Sequence, residues 1–181
     1  MQHITTYMGE DFTPLTPDAK QIHIEDIAHA LSLMCRANGH FVSFYSVAQH
    51  CINCANEAMA RGLPARMQLA CLLHDASEAY LSDVTRPVKQ HLPKYREIEN
   101  NLQDMIFDKF LGSRLTDAEA ACIKQIDNDI LICEFNTLMK KKVFDDCPSI
   151  SSKPTFAFCN FAKVEHEFIR LYKEGTACKN P

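Results

Sequence analysis

Leu69-Ala-Cys-Leu-Leu-His-Asp-Ala-Ser-Glu78 decides how this chain is read. The stretch opens as an apolar run, with Leu69, Leu73 and Ala76 on one helical face. It turns polar at His74-Asp75. An imidazole and a carboxylate at the end of such a run are costly to bury unless something compensates them. A divalent cation does so, because both groups are good ligands for one. Another histidine, His50, and another acid, Asp127, lie in other strongly helical segments, giving the pattern His50 … His74-Asp75 … Asp127. Each has a plainer reading alone: a satisfied core histidine, a buried pair, a surface or capping acid with Asp129 as its rival. Three separate helices carrying the whole set point to a metal centre.

Working outward, Pro64 suits the first turn of the central helix, which runs to Leu81. Upstream, Ile24, Ile27, Ala28, Leu31 and Met34 predict a helix from Ile24 to Ala37, ended by Asn38-Gly39. Ser46 opens a second helix to Arg61, stopped by Gly62. Downstream, Ser82 to Pro93 contains two prolines and reads as a loop. A fourth helix covers Tyr95 to Leu111, with Ile98, Leu102, Met105, Ile106 and Phe110 inward. Thr116-Asp-Ala-Glu119 has the form of a capping box and begins a helix to Lys140. Residues 145–154 read as loop and Asn160 to Lys173 as a last helix. Residues 1–22, with Pro14 and Pro17, form an irregular arm or short hairpin, and 176–181 a loose tail. No strand pattern or repeat interrupts this. The expected fold is all-α, one helical bundle over residues 1–181.

Helical spacing also places charges around the ligands. Glu78 lies four residues after His74 and Lys124 three before Asp127, so each pair shares a face. Glu134, seven after Asp127, is placed to buttress it.

The chain of 181 residues, 46% hydrophobic and 23% charged, is long enough to bury a core. A net charge of -4 argues against broad binding to polymeric nucleic acid, which needs a basic face. Nine cysteines, an odd number scattered through helical stretches, read as reduced core thiols of a cytoplasmic protein. Cys51-x-x-Cys54 has the form of a structural zinc or redox pair, but no second such pair accompanies it and it is read with the core thiols. The N-terminus lacks a basic segment leading into an apolar run, and no stretch approaches membrane-span length. Neither a signal peptide nor a membrane partner is expected.

These residues resemble the HD-domain phosphohydrolases, a helical superfamily named for its His-Asp pair. The branch most alike is that of the small bacterial 5′-deoxynucleotidases and the phage dATP triphosphohydrolases. The matching stretches are Phe44-Tyr-Ser-Val-Ala-Gln-His50, His74-Asp-Ala-Ser-Glu-Ala-Tyr-Leu-Ser-Asp-Val-Thr-Arg-Pro-Val-Lys89 and Lys124-Gln-Ile-Asp127. The resemblance implies an HD-type bundle with His50, His74, Asp75 and Asp127 as metal ligands. It prefers Asp127 to Asp129, because the family's last acid precedes a Leu-Leu-like pair and a later Glu, here Ile130-Leu131 and Glu134. It gives Glu78 a role in moving protons or ordering water, Asp83 a supporting catalytic role, and Arg36, Lys89 and Lys124 to phosphate. With only His91 between Asp75 and Asp127, one divalent metal ion (Co, Mn, Zn, Fe, Ni or Mg) is expected rather than two.

One departure concerns the base. The family often places an aromatic residue after the arginine, where this chain has Ala37; Phe41, Phe44 and Tyr45 are the alternative stacking surfaces. The implied activity is a deoxynucleoside 5′-monophosphatase, with a dNTP triphosphohydrolase as the close alternative. A non-catalytic metal or nucleotide sensor is the rival from another class, and the presence of Glu78 and Asp83 favours the enzyme. A nucleotide is the expected partner. Apolar residues on the fourth and last helices serve either the core or a homodimer or larger homo-oligomer.

Overall fold

Among the described residues, the strands form a short hairpin of two-residue strands, β1 (Ile4–Thr5) antiparallel to β2 (Asp11–Phe12). The computed structural model describes residues 2–177, and the other regular elements among them are helical. The hairpin is tied to the bundle at two points. Phe12 is fully buried with its ring centroid 4.3 Å from that of Tyr80, and the Met8 amide donates to Asp26 Oδ1 at 2.7 Å. A tight 3-10 turn (Ala19–Gln21) leads into α1 (Ile24–Leu33). This helix stops four residues before the expected Ala37. Cys35 pairs with Ser46 in an isolated bridge, and Arg36–Gly39 form a 3-10 turn in which Ala37 and Asn38 take left-handed φ values of 55° and 50°. The turn reverses the chain and brings Arg36 back into the bundle.

Helix α2 (Val47–Ala60) starts where Ser46 and Gln49 cap each other, the Ser46 hydroxyl accepting from the Gln49 amide and the Gln49 side chain from the Ser46 amide. It lies at the centre, against α1, α3, α7 and α8. Helix α3 (Ala65–Leu72) follows Pro64. The single helix expected from Pro64 to Leu81 is broken. Residues 73–77 run through short turns, with Ala76 N–H donating to Leu73 O and Glu78 N–H to Asp75 O, both at 3.0 Å, before α4 (Glu78–Leu81). In an unbroken helix, neighbours diverge by about 100°. The break lets His74 and Asp75 face the same way.

Residues 82–92, expected as loop, contain a one-turn helix, α5 (Arg86–Lys89). Pro93 occupies the first position of α6 (Pro93–Leu111), where its missing N–H costs nothing. Gly112, at φ 84°, ends α6. The expected capping box opens α7 (Asp117–Leu138), with reciprocal bonds between Thr116 and Glu119. Helix α8 (Phe161–Ala177) runs past the expected Lys173; Thr176 bonds back to the Tyr172 carbonyl at 3.0 Å. Residues 176 and 177 of the expected loose tail are therefore helical, and 178–181 lie outside the described residues. One cluster of buried side chains, including Ile27, Leu31, Leu69, Leu102, Ile106, Ile126 and Phe168, runs through all the long helices. None of the described helices is long and apolar enough to cross a membrane.

Helix α2 carries two polar faces. Gln49, Asn53 and Glu57, at i, i+4 and i+8, hold the strap between α7 and α8. Gln49 bonds the Ala157 carbonyl, Asn53 the Thr155 carbonyl, and Glu57 the amides of Ser151 and Ser152. Burial pushes the Glu57 carboxyl up, but those amides and Arg61 outweigh it and hold it at about 2.

Ser82 sits at φ 89°, ψ 151°, a region that suits glycine almost alone. Its amide donates to Glu78 O at 2.8 Å and its carbonyl accepts from the Tyr95 hydroxyl at 2.7 Å, which holds the strained link leading to Asp83. Ser82→Gly is expected to stabilise the fold by roughly 1 kcal/mol, raising Tm by roughly 2–4 °C. A lowered Tm would show that the Ser82 side chain contributes more than its backbone costs.

Candidate metal centre

His50 lies on α2, His74 and Asp75 in the break after α3, and Asp127 on α7. His50 Nε2 is 3.2 Å from His74 Nε2, 3.1 Å from Asp127 Oδ1 and 3.9 Å from Asp75 Oδ2. His74 Nε2 is 3.3 Å from Asp75 Oδ2 and 3.8 Å from Asp127 Oδ1. Ligand bonds of about 2.1 Å place neighbouring donor atoms about 3.0 Å apart in octahedral and about 3.4 Å apart in tetrahedral geometry. The observed separations fall around these values.

The outer ring nitrogens fix the tautomer of each histidine. His50 Nδ1 bonds Glu134 Oε1 at 2.7 Å, and His74 Nδ1 bonds the Cys71 carbonyl at 2.7 Å. Carboxylates and carbonyls only accept, so both Nδ1 atoms carry the proton. In the neutral rings both Nε2 atoms are then bare lone pairs. Two such lone pairs and two carboxylate oxygens face one another in a buried space. That arrangement calls for a positive charge at its centre, and the residues fit a divalent ion.

Without an ion, the same cluster draws a proton onto the His74 imidazole instead. Burial opposes a charge on His74, but the carboxylates of Asp75 and Asp127 outweigh it and raise its pKa well above the ordinary range. Burial likewise opposes ionisation of Asp127 and Asp75, and the two histidines outweigh it and hold both low.

Glu134 anchors this arrangement. It is fully buried and accepts from His50 Nδ1, from the Tyr45 hydroxyl at 2.7 Å and from Arg36 Nε at 3.0 Å. Spacing along α7 suggested that it buttresses Asp127; it instead fixes the His50 ring from behind. Asp129 points elsewhere, bonded to Arg61 and Gln125 at 2.7 Å each. Of the two rival acids, Asp127 is the one in the cluster.

Cations surround Asp127 on two sides. Arg36, 8% exposed, directs Nη1 toward Asp75 Oδ2 at 3.6 Å and Nη2 toward Asp127 Oδ1 at 3.8 Å. Burial alone would lower the Arg36 pKa, but Glu134, Asp75 and Asp127 raise it well above its usual value, so it stays charged. Lys124 and Arg86 each reach Asp127 Oδ2 at 2.8 Å, from more open positions. Arg86 carries no sequence signal beyond its place in the Thr85-Arg-Pro turn, since its partner is 41 residues away. Lys89 is drawn aside, held by Glu99 at 2.6 Å and Glu78 at 3.4 Å.

Glu78 is buried, with Oε2 lacking any hydrogen-bond partner. Burial, then the charges of Asp75 and Asp83, push its pKa well up. Burial also raises Asp83. Among the candidate aromatics, Tyr45 and Phe41 are buried and Phe44 is half-buried beside Phe158. His40 lines a separate hollow with Phe41, Val42 and Lys140, and His91 is exposed in the turn after α5.

No family model matches the chain. Two curated relatives align with part of it. The uncharacterised protein YfdR of Escherichia coli K12 is 37% identical over 110 residues, 61% of this chain and 59% of the relative. An uncharacterised protein of Rhodobacter capsulatus is 40% identical over 108 residues, 56% of this chain and 55% of the relative. The chain thus spans less than two thirds of the length of these relatives.

Proposed function

We propose that the chain is a metal-dependent phosphohydrolase of the HD type, acting on nucleotides as a deoxynucleoside 5′-monophosphatase. The observation that carries this reading is the convergence of two bare imidazole nitrogens and two carboxylate oxygens beneath a ring of Arg36, Arg86 and Lys124. When bound, a divalent ion supplies Lewis-acid polarisation and a water acidified for attack.

The chain's own groups account for the rest. Arg36 and Arg86 present planar forks that suit the paired oxygens of a phosphoryl group, and Lys124 adds a point charge. Glu134 holds Arg36 in place, and Asp127 holds Arg86 and Lys124. Glu78, whose carboxyl burial pushes toward its protonated form, is placed to give a proton to the leaving 5′ oxygen, and Asp83 lies beside it to relay or hold the next one. Phe44 is the aromatic surface left for a base.

Glu78→Gln is expected to keep metal bound while slowing turnover at least about tenfold. The acid works protonated, so the wild-type rate should fall as pH rises through the raised Glu78 pKa, and that limb should vanish in the variant. A pH–rate profile alike in both proteins would remove Glu78 from proton transfer.

Purified protein with Mn²⁺ or Co²⁺, offered deoxynucleoside mono- and triphosphates, tests the activity. Phosphate release from monophosphates supports the proposal, and no product from any nucleotide overturns it. The extra cation Arg86 favours a longer phosphate chain as the second reading; triphosphate release would select it.

A further inference from the structure

Cys54 lies one helical turn after His50 on α2, on the same face, and is 1% exposed. Its Sγ is 3.6 Å from His50 Nε2. Ligand atoms of His50, Cys54 and His74 all lie within 4.8 Å of one another. Cys51, one residue after His50, forms a like group with His74 and Asp75, so thiols line the inner wall of the cup. A metal bonded to sulfur at about 2.3 Å and to imidazole at about 2.1 Å holds the two atoms about 3.6 Å apart when tetrahedral. That is the separation observed.

We propose that the two imidazoles belong to two overlapping ligand sets: His50, His74, Asp75 and Asp127 for a hard ion such as Mn²⁺, and His50, His74 and Cys54 for a thiophilic ion such as Zn²⁺ or Cd²⁺. This rests on the metal-centre reading above and deepens it. Carboxylate oxygen suits hard cations, whereas thiolate sulfur selects Zn²⁺ and its heavier relatives. The S–metal bond forms as the thiol proton leaves to solvent. An ion on the cysteine side occupies both imidazoles and so excludes Mn²⁺ from the cup.

X-ray absorption on the Zn²⁺-loaded wild-type protein tests this without any variant. The expected result is one sulfur at about 2.3 Å together with imidazole scattering. Zn²⁺ bound through imidazole with no sulfur would overturn the second ligand set and leave the first standing. Failure to bind either Zn²⁺ or Mn²⁺ would overturn both. Cys54→Ser should remove the sulfur signal and weaken Zn²⁺ at least about tenfold, while Mn²⁺ still binds. Asp127→Asn should show the reverse preference. A sulfur signal that persists in Cys54→Ser belongs to another thiol and sinks the assignment.

Discussion

Asp127→Asn is expected to lower Mn²⁺ affinity and hydrolysis together by more than about a hundredfold, beyond the 10–100-fold typical of residues that only orient a ligand. Its Oδ1 lies 3.1 Å from His50 Nε2, and its Oδ2 takes bonds from both Lys124 and Arg86. An amide in its place contributes a weaker ligand and turns a donor toward one of those cations. Asp129→Asn is the matched control, two residues along the same helix. Its carboxylate faces Arg61 and Gln125, so metal affinity should hold. Calorimetric titration with Mn²⁺ on both variants checks the contrast. Equal losses would mean that the helix, and not the Asp127 ligand, was damaged.

Glu134→Gln carries the largest expected cost to the fold. Three donors converge on this fully buried carboxylate, and one is the guanidinium of Arg36. Removing one partner of a buried ion pair costs about 3–5 kcal/mol, and Arg36 keeps only its longer contacts to Asp75 and Asp127, at 3.6 and 3.8 Å. At roughly 2–4 °C per kcal/mol for a chain of this size, Tm should fall by roughly 10 °C. The His50 ring also loses the acceptor that fixes its Nδ1 proton, so metal affinity should drop about 10–100-fold. Stability and metal binding are read separately, by thermal melts of metal-free protein and by Mn²⁺ titration at low temperature. Normal affinity in the folded variant would show that His50 keeps its orientation without Glu134.

Much of the helical layout was legible because it rests on local chemistry. The Ser46 and Thr116 starts follow from side chains that bond amides three residues on, and Gly112 ends α6 by taking a left-handed φ. The break after α3 was not legible. Leu73 to Ser77 hold no proline or glycine to announce it. The early end of α1 was hidden too: Ala37 and Asn38 adopt left-handed backbone in a turn that brings Arg36 to Glu134 across 98 residues. The candidate ligands stood out by residue type, and Asp127 was separated from Asp129 only by resemblance until the two were seen on different sides of α7. Arg86 escaped because its partner is distant in the chain; Tyr45 and Cys54 stood out, but as a stacking surface and as half of a C-x-x-C pair, and their contacts with Glu134 and His50 were not legible.

The interruption at residues 73–77 has one more effect, on how the centre comes apart. His74 and Asp75 are neighbours in the chain and share the turns of residues 73–77, so their spacing lasts as long as those local turns do. His50 and Asp127 are held in register only by the docking of α2 against α7. Warming should therefore strip the cup in two stages, first shedding the donors on the separate helices, then releasing a neighbouring pair that still grips a cation weakly.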